Sequence, residues 1–241
     1  MVIRGLLKTT LLDYPGCVAS TVFLGGCNMR CPFCHNMDIV EAGTNGDATA
    51  VSGEEYSRDE VLSFLKSRVG RLDGVCITGG EPTINADLPD FATQIKELGY
   101  KVKLDTNGTN PEMVKMLVNS GIVDYVAMDI KSSPAGYENA CGVVLKYFSP
   151  IKETVEFLIN CNRNDFDYEF RTTIVDRFHT ETEMEEIGLL IEGAEKYYLQ
   201  SYEDSEFVPD HTLGAHSKET LERFAEIASK YVKSVKIRGI L

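Results

Sequence analysis

Three features of the 241-residue sequence predict an α/β fold, an open partial (β/α)6 barrel of parallel strands. Six short apolar runs rich in β-branched residues alternate with helical patterns between Val18 and Gln200, the signature of parallel βαβ units. Eight units would close a full barrel, and six leave it open. The cysteines, paired glycines, acids and arginine that look chemical fall at the C-terminal ends of those runs, the face that carries the site in β/α barrels. No composition shift or internal repeat marks a linker. Residues 1–241 are therefore expected to form one domain, with a lead-in over 1–17 and a helix–strand extension over about 203–241.

The elements follow in order. Residues 2–16 carry Val2, Ile3, Leu6, Leu7, Leu11 and Leu12 and end in a Pro15-Gly16 turn, which suits a short strand and loop. Val18–Leu24 is the first barrel strand. Residues 36–56, with Gly43, Asn45, Gly46 and Gly53, are the most loop-like stretch. Ser57 and Glu60 make a capping box, and Val61, Leu65 and Val69 follow on one helical face. Val75–Thr78 is a strand delivering Gly79-Gly80-Glu81, and Asp87–Leu98 is a helix stopped by Gly99. Lys101–Leu104 delivers Asp105. Asn110 caps a helix with Pro111 at its first position, running to about Asn119. Tyr125–Met128 delivers Asp129 and Lys131, and Ile151 to about Asn162 is helical. Glu169–Val175 carries Arg171, and Thr180 with Glu183 opens a helix to about Glu192. Lys196–Gln200 is the sixth strand. A helix over Ser217–Tyr231, with Leu221, Phe224, Ala225 and Ala228 inward, precedes a terminal strand at Val235–Ile240.

The loop after the first strand reads Gly25-Gly26-Cys27-Asn28-Met29-Arg30-Cys31-Pro32-Phe33-Cys34-His35-Asn36, with spacing C-x3-C-x2-C. Three soft thiolates suit an iron–sulfur cluster. A 4Fe–4S cube has four irons, so three cysteines leave one open, as in reactive metal centres. A structural zinc site would show a second C-x2-C or H-x3-H half, and an electron-transfer ferredoxin a fourth cysteine. Gly25 and Gly26 let the backbone approach a bulky group, and Phe33 can shield it. The other cysteines, Cys17, Cys76, Cys141 and Cys161, are far apart and read as small buried hydrophobes in a reduced, cytoplasmic protein.

Apolar content of 43% supports a sizeable core. A net charge of −13 argues against a nucleic-acid groove and against an anionic membrane surface. No stretch approaches the ~20 apolar residues of a membrane span, and no secretory signal opens the chain.

The cysteine stretch resembles the C-x3-C-x-aromatic-C signature of the radical S-adenosylmethionine (radical SAM) enzymes. Thr78-Gly79-Gly80-Glu81-Pro82, Asp105-Thr106-Asn107-Gly108, Met128-Asp129-Ile130-Lys131 and Arg171-Thr172-Thr173 resemble further stretches of that superfamily, in the expected order. Together they resemble the glycyl-radical-enzyme activating enzymes. Arg4-Gly5-Leu6, the run Thr10 to Gly16, Leu104 to Gly108 and Glu169 to Thr173 resemble the type that activates anaerobic ribonucleoside-triphosphate reductase, and the likeness fades after Gln200. The resemblance implies the open barrel, a 4Fe–4S cluster held by Cys27, Cys31 and Cys34, and S-adenosyl-L-methionine cleaved to a 5′-deoxyadenosyl radical. It implies a glycyl radical on an anaerobic ribonucleotide reductase or another glycyl-radical enzyme such as pyruvate formate-lyase, with a flavodoxin- or ferredoxin-type electron donor. A radical SAM enzyme of small molecules, for example of deazapurine precursors, and a non-catalytic iron–sulfur protein are the rivals.

Residue by residue, the resemblance implies that Gly79, Gly80 and Glu81 hold the cofactor's amino group and that Phe33, Asp105, Asn107, Lys131 and Arg171 also contact it. Gly80→Val is then expected to block the cofactor without removing iron. Asp105, Thr106, Met128 and Asp129 resemble positions that hold a monovalent cation beside the cofactor carboxylate, Met128 offering only its carbonyl. The plainer alternative is that both aspartates cap loops through Asx-turns. His35 suits a donor or packing role, and His211 and His216 are left unassigned.

Overall fold

The computed structural model describes residues 1–41, 55–146 and 148–239. Most of the glycine-rich stretch expected to be a loop, 42–54, lies outside these, as does Ile240 of the expected last strand. The strands are β1 (Ile3–Thr10), β2 (Ala19–Leu24), β3 (Gly74–Gly79), β4 (Lys101–Thr106), β5 (Tyr125–Asp129), β6 (Asp167–Ile174), β7 (Tyr197–Ser201) and β8 (Val235–Arg238). They form one eight-stranded sheet in chain order. β1 runs antiparallel to β2, and every later pair is parallel. β1 and β8 are the two edges, so the sheet does not close. The six-stranded half-barrel, β2–β7, is thus extended by one strand at each end.

The helices are α1 (Met37–Glu41), α2 (Arg58–Arg68), α3 (Leu88–Glu97), α4 (Pro111–Asn119), α5 (Tyr137–Cys141), α6 (Ser149–Ile159), α7 (Glu181–Leu190) and α8 (Lys218–Ala228). Both capping boxes form, and the Asn110 side chain accepts from the Met113 amide at 3.2 Å. α1 and α5 have five residues each, too few turns to leave an apolar period in the sequence.

The sheet has two unlike faces. Toward the helices it buries aliphatic and aromatic residues such as Val75, Val102 and Val126, which pack with Phe91, Leu117 and Leu158. Toward the barrel interior the alternation of the strands places Cys76, Lys103, Asp105, Asp129, Glu169 and Arg171, neighbours by register or hydrogen bond. Tyr14, Cys17, Ala19, Tyr125 and Ala127 form a separate small cluster, and Tyr125 donates to Glu169 at 2.8 Å. From the edge strand β8, Arg238 grips Glu169 with two bonds of 3.0 and 3.1 Å. The interior is therefore a polar lining held by ion pairs, while the helix-facing side carries the hydrophobic stabilisation.

After β6 the chain turns through His179, which is fully buried. Its Nδ1 accepts from the Val175 amide at 3.0 Å, and Nε2 donates to the Lys131 carbonyl at 3.0 Å. That pattern uses both nitrogens of the neutral ring. Burial lowers its pKa to about 4, against about 6.5 for a free imidazole. In the unfolded chain His179 takes a proton first as pH falls, so its contribution is complete above about pH 6.5 and is lost as pH drops toward 4. Urea unfolding should show wild type exceeding His179→Gln in stability at neutral pH, with a gap of about 3 kcal/mol or less that shrinks as pH approaches 4. A gap that does not change with pH would contradict a neutral buried ring.

Candidate functional site

A cavity of about 260 Å³ opens at the carboxyl ends of the strands. Its walls come from every part of the half-barrel: the cysteine loop after β2, the Thr78-Gly79-Gly80 end of β3, Asp105-Thr106-Asn107 from β4, Asp129 and Lys131 from β5, Arg171 and Thr173 from β6, and Gln200 from β7.

The cysteine loop is fixed from several directions. Its Gly26 amide bonds to Ile39 at 3.1 Å, and its Gly26 carbonyl accepts from the Glu81 amide at 2.9 Å. The Arg30 amide bonds to Cys141 at 2.8 Å, at the end of α5, and Pro32 accepts from Asp210 at 3.1 Å. Cys27, Cys31 and Cys34 all line the cavity, with Phe33 buried between the last two and packed on Phe178 at 5.8 Å between ring centres. Among the described residues no three His, Cys, Asp or Glu side chains are grouped to hold a single metal ion. The fit to a cluster rests on donor chemistry: three unpaired thiols on one cavity wall, each available to a different iron. Burial pushes the Cys27 thiol up to about 11 and Cys31 up to about 12, and raises Cys34 as well. The Lys131 ammonium opposes that rise at all three. Metal binding must displace these protons, and Lys131 favours it.

The glycines serve the loop as much as any ligand. Gly79 sits at φ +117°, where side chains are strained. A Cβ on Gly80 would lie 1.9 Å from the Gly26 carbonyl oxygen and 3.2 Å from the Cys27 Cβ. The shelf and the cysteine loop are therefore one unit, not the separable features the sequence suggested. Glu81 is placed differently from expectation too. It does not line the cavity but is buried, accepting from the Thr83 amide at 3.0 Å, the Thr106 hydroxyl at 2.7 Å and the Asn107 amide at 2.6 Å. It caps the short 3-10 turn Pro82–Ile84 and clamps the ends of β3 and β4 together. Asn107 passes the clamp on, donating to Asn28 of the cysteine loop at 2.8 Å.

Asp105 and Asp129 converge through one guanidinium. Arg171 donates from Nε to Asp129 at 2.9 Å and from Nη1 to Asp105 at 3.3 Å. Lys131 bonds the other Asp129 oxygen at 3.1 Å, and Lys103 bonds the other Asp105 oxygen. Burial would raise the Asp129 pKa, but Arg171 and Lys131 outweigh it and hold the carboxyl at about 2. Neither aspartate forms an Asx-turn; that role belongs to Asn107, which accepts from the Thr109 amide at 3.1 Å. Of the residues expected to hold a cation, Asp105, Thr106 and Asp129 line the same cavity, and both aspartates are paired with protein cations. The Thr106 hydroxyl is engaged by Glu81 and the Gly108 amide.

His35 also lines the cavity, but its Nε2 donates to the Glu203 carbonyl at 2.7 Å and its ring packs on Tyr202. His211 pairs with Asp204, and His216 bonds the His179 carbonyl; neither lines the cavity. Six lining residues were given no role by the sequence: Met29, Val40, Thr78, Asn36, which donates to the Gly79 carbonyl at 3.3 Å, and, last, the register partners Thr173 and Gln200. The strand-end rule that singled out Arg171 would have found the last two.

The profile of the radical SAM superfamily matches residues 21–191. A candidate glycyl-radical enzyme activating enzyme of Methanocaldococcus jannaschii is 31% identical over 249 residues, 99% of this chain and 96% of that protein. The pyruvate formate-lyase-activating enzyme of Listeria monocytogenes is 32% identical over 126 residues, 50% of this chain and 49% of that enzyme, so the match spans about half of its length. Streptococcus suis SuiB bound to S-adenosylmethionine superposes with a TM-score of 0.63 at 14% identity, covering 91% of this chain and 52% of that one. At that identity the likeness concerns the fold.

The contact of Gly80 with the cysteine loop has a measurable consequence. Gly80→Ala should lower the iron bound after anaerobic reconstitution, because its Cβ displaces Gly26 and Cys27. A folded variant with full iron content would show that shelf and loop are independent.

Proposed function

The chain belongs to the radical SAM superfamily and is a homologue of glycyl-radical-enzyme activating enzymes, and from that premise we propose that it places a glycyl radical on an anaerobic ribonucleotide reductase. The observation that carries the reading is the cavity itself, where three thiols from one loop face Lys131 and Arg171 from neighbouring strands. The cofactors of the superfamily are a 4Fe–4S cluster and S-adenosylmethionine. When bound, they supply the one-electron cleavage of the sulfonium that yields a hydrogen-abstracting radical.

The chain's own residues position and protect. Cys27, Cys31 and Cys34 would hold the cluster. The strand-end backbone at Gly79 and Gly80 lets a ligand lie close. Lys131 and Arg171 line the cavity and would donate to the cofactor carboxylate while staying paired with the aspartates. Asn107 adds an amide. Phe33 on Phe178 keeps water from one side, where low dielectric strengthens each of these contacts.

A protein substrate suits a sheet that does not close, because a peptide loop would enter where a full barrel is shut. The match over 99% of the chain to an activating-enzyme homologue supports that substrate class. The stretches from Arg4 to Leu6, Thr10 to Gly16, Leu104 to Gly108 and Glu169 to Thr173 favour the reductase as partner. The half-length match to a pyruvate formate-lyase-activating enzyme favours a second reading, in which the partner is that type of lyase. A flavodoxin- or ferredoxin-type protein would deliver the electron in either case. A reducing cytoplasmic setting belongs to the same proposal. Among the described residues no helix is long and apolar enough to cross a membrane.

Reduced, reconstituted protein with S-adenosylmethionine should produce a glycyl-radical doublet, seen by EPR, on the anaerobic ribonucleotide reductase of the same cell, with methionine and 5′-deoxyadenosine formed alongside. Cofactor cleavage with a radical on a different glycyl-radical enzyme, and none on the reductase, would overturn the partner assignment.

A further inference from the structure

We infer that this chain carries its own monovalent cation: the Lys103 ammonium, fixed inside the barrel, acts as counter-ion to the paired aspartates, so the cofactor site needs no bound potassium or sodium. This holds only with the cofactor placed as proposed above.

The four carboxylate oxygens of the pair are each met by a protein cation. Asp105 gives one oxygen to Lys103 and the other to Arg171 at 3.3 Å. Asp129 gives one to Arg171 at 2.9 Å and the other to Lys131 at 3.1 Å. Three fixed positive charges thus face two negative ones. A metal cation entering beside the aspartates would add a fourth positive charge in a partly buried setting, where like charges repel strongly. Of the further oxygens expected to ligate such an ion, the Thr106 hydroxyl donates to Glu81 at 2.7 Å and accepts from the Gly108 amide at 3.1 Å.

Lys103 is placed for this role by β-strand geometry. It lies two residues before Asp105 on β4, so both side chains point to the barrel interior. It is 2% exposed, and its ammonium also lies 3.6 Å from the Cys76 sulfur. A lone ammonium buried this deeply would be expensive, and Asp105 neutralises it. It reaches Asp105 from below, leaving Arg171 and Lys131 to face the cavity. Lys103 is therefore a positioning residue. It fixes Asp105, which orients Arg171, which in turn holds Asp129.

The test uses the anaerobically reconstituted protein and the dissociation constant of S-adenosylmethionine by equilibrium dialysis. The sole cation is potassium, sodium or tetramethylammonium at fixed ionic strength. Wild type should bind equally, within about twofold, in all three. Lys103→Met should bind about tenfold more weakly in tetramethylammonium and regain affinity in potassium or sodium, a rescue that a merely structural role would not give. Wild-type affinity that rises about tenfold on adding potassium would overturn the inference, as would a folded Lys103→Met indifferent to the cation. Should that variant not fold, Tl⁺ NMR on wild type decides: a bound thallous ion competed by potassium refutes an internal counter-ion, and no bound ion upholds it. Wild type that binds no S-adenosylmethionine in any cation would instead remove the cofactor reading beneath it.

Discussion

The site depends on one guanidinium shared by two carboxylates. Arg171 spans from Asp129, its direct register partner on the neighbouring strand, to Asp105 one strand further on. Those three strands are consecutive in the sheet, so the bridge fixes the mouth of the half-barrel where parallel pairing alone leaves side chains free. Lys103 and Lys131 end the row on either side, one in the buried interior and one facing the thiols. A row of alternating charges is costly to bury unless every member is paired, and here each carboxylate oxygen has its own donor. A buried row of this kind is weak evidence for stability. Stability comes from the apolar layer between sheet and helices.

A second tie joins the strand ends to the cysteine loop. Glu81 gathers the Thr106 and Asn107 ends of β4 onto the end of β3, and Asn107 holds Asn28. Gly80 lies against Gly26 so closely that no side chain fits between them. The cysteine loop is thus fastened to the same strand ends that carry the charged row. The wall that would hold a metal cluster and the wall that would hold its organic partner are therefore joined by direct contacts.

Much of this was legible in the sequence. The strand order, both capping boxes, the cysteine spacing and the strand-end acids all follow from local patterns, because period-2 and capping signals are written in neighbouring residues. What was not legible is where polar side chains turn. Lys103 sits in Lys101-Val102-Lys103-Leu104-Asp105, an alternation that reads as an ordinary strand with one face in water. Here the other face is the barrel interior, and only the register with Cys76 on β3 shows it. Glu81 reads as a ligand because it follows two glycines, yet Pro82 behind it starts a 3-10 turn whose free amides draw the carboxylate inward. His179 carries no motif, and its burial follows from the meeting of two loops distant in sequence.

The most direct test of the charged row is Arg171→Gln, examined in reconstituted protein for iron content and for S-adenosylmethionine affinity. Lys103 and Lys131 still pair the two aspartates in this variant, so the fold and the three cysteine ligands should survive and iron content should match wild type. Affinity for S-adenosylmethionine should fall by about thirtyfold or more, the loss typical of removing one partner from a desolvated charge pair. Full iron with unchanged affinity would contradict the account, because the guanidinium that joins the two aspartates would then have no part in holding the cofactor.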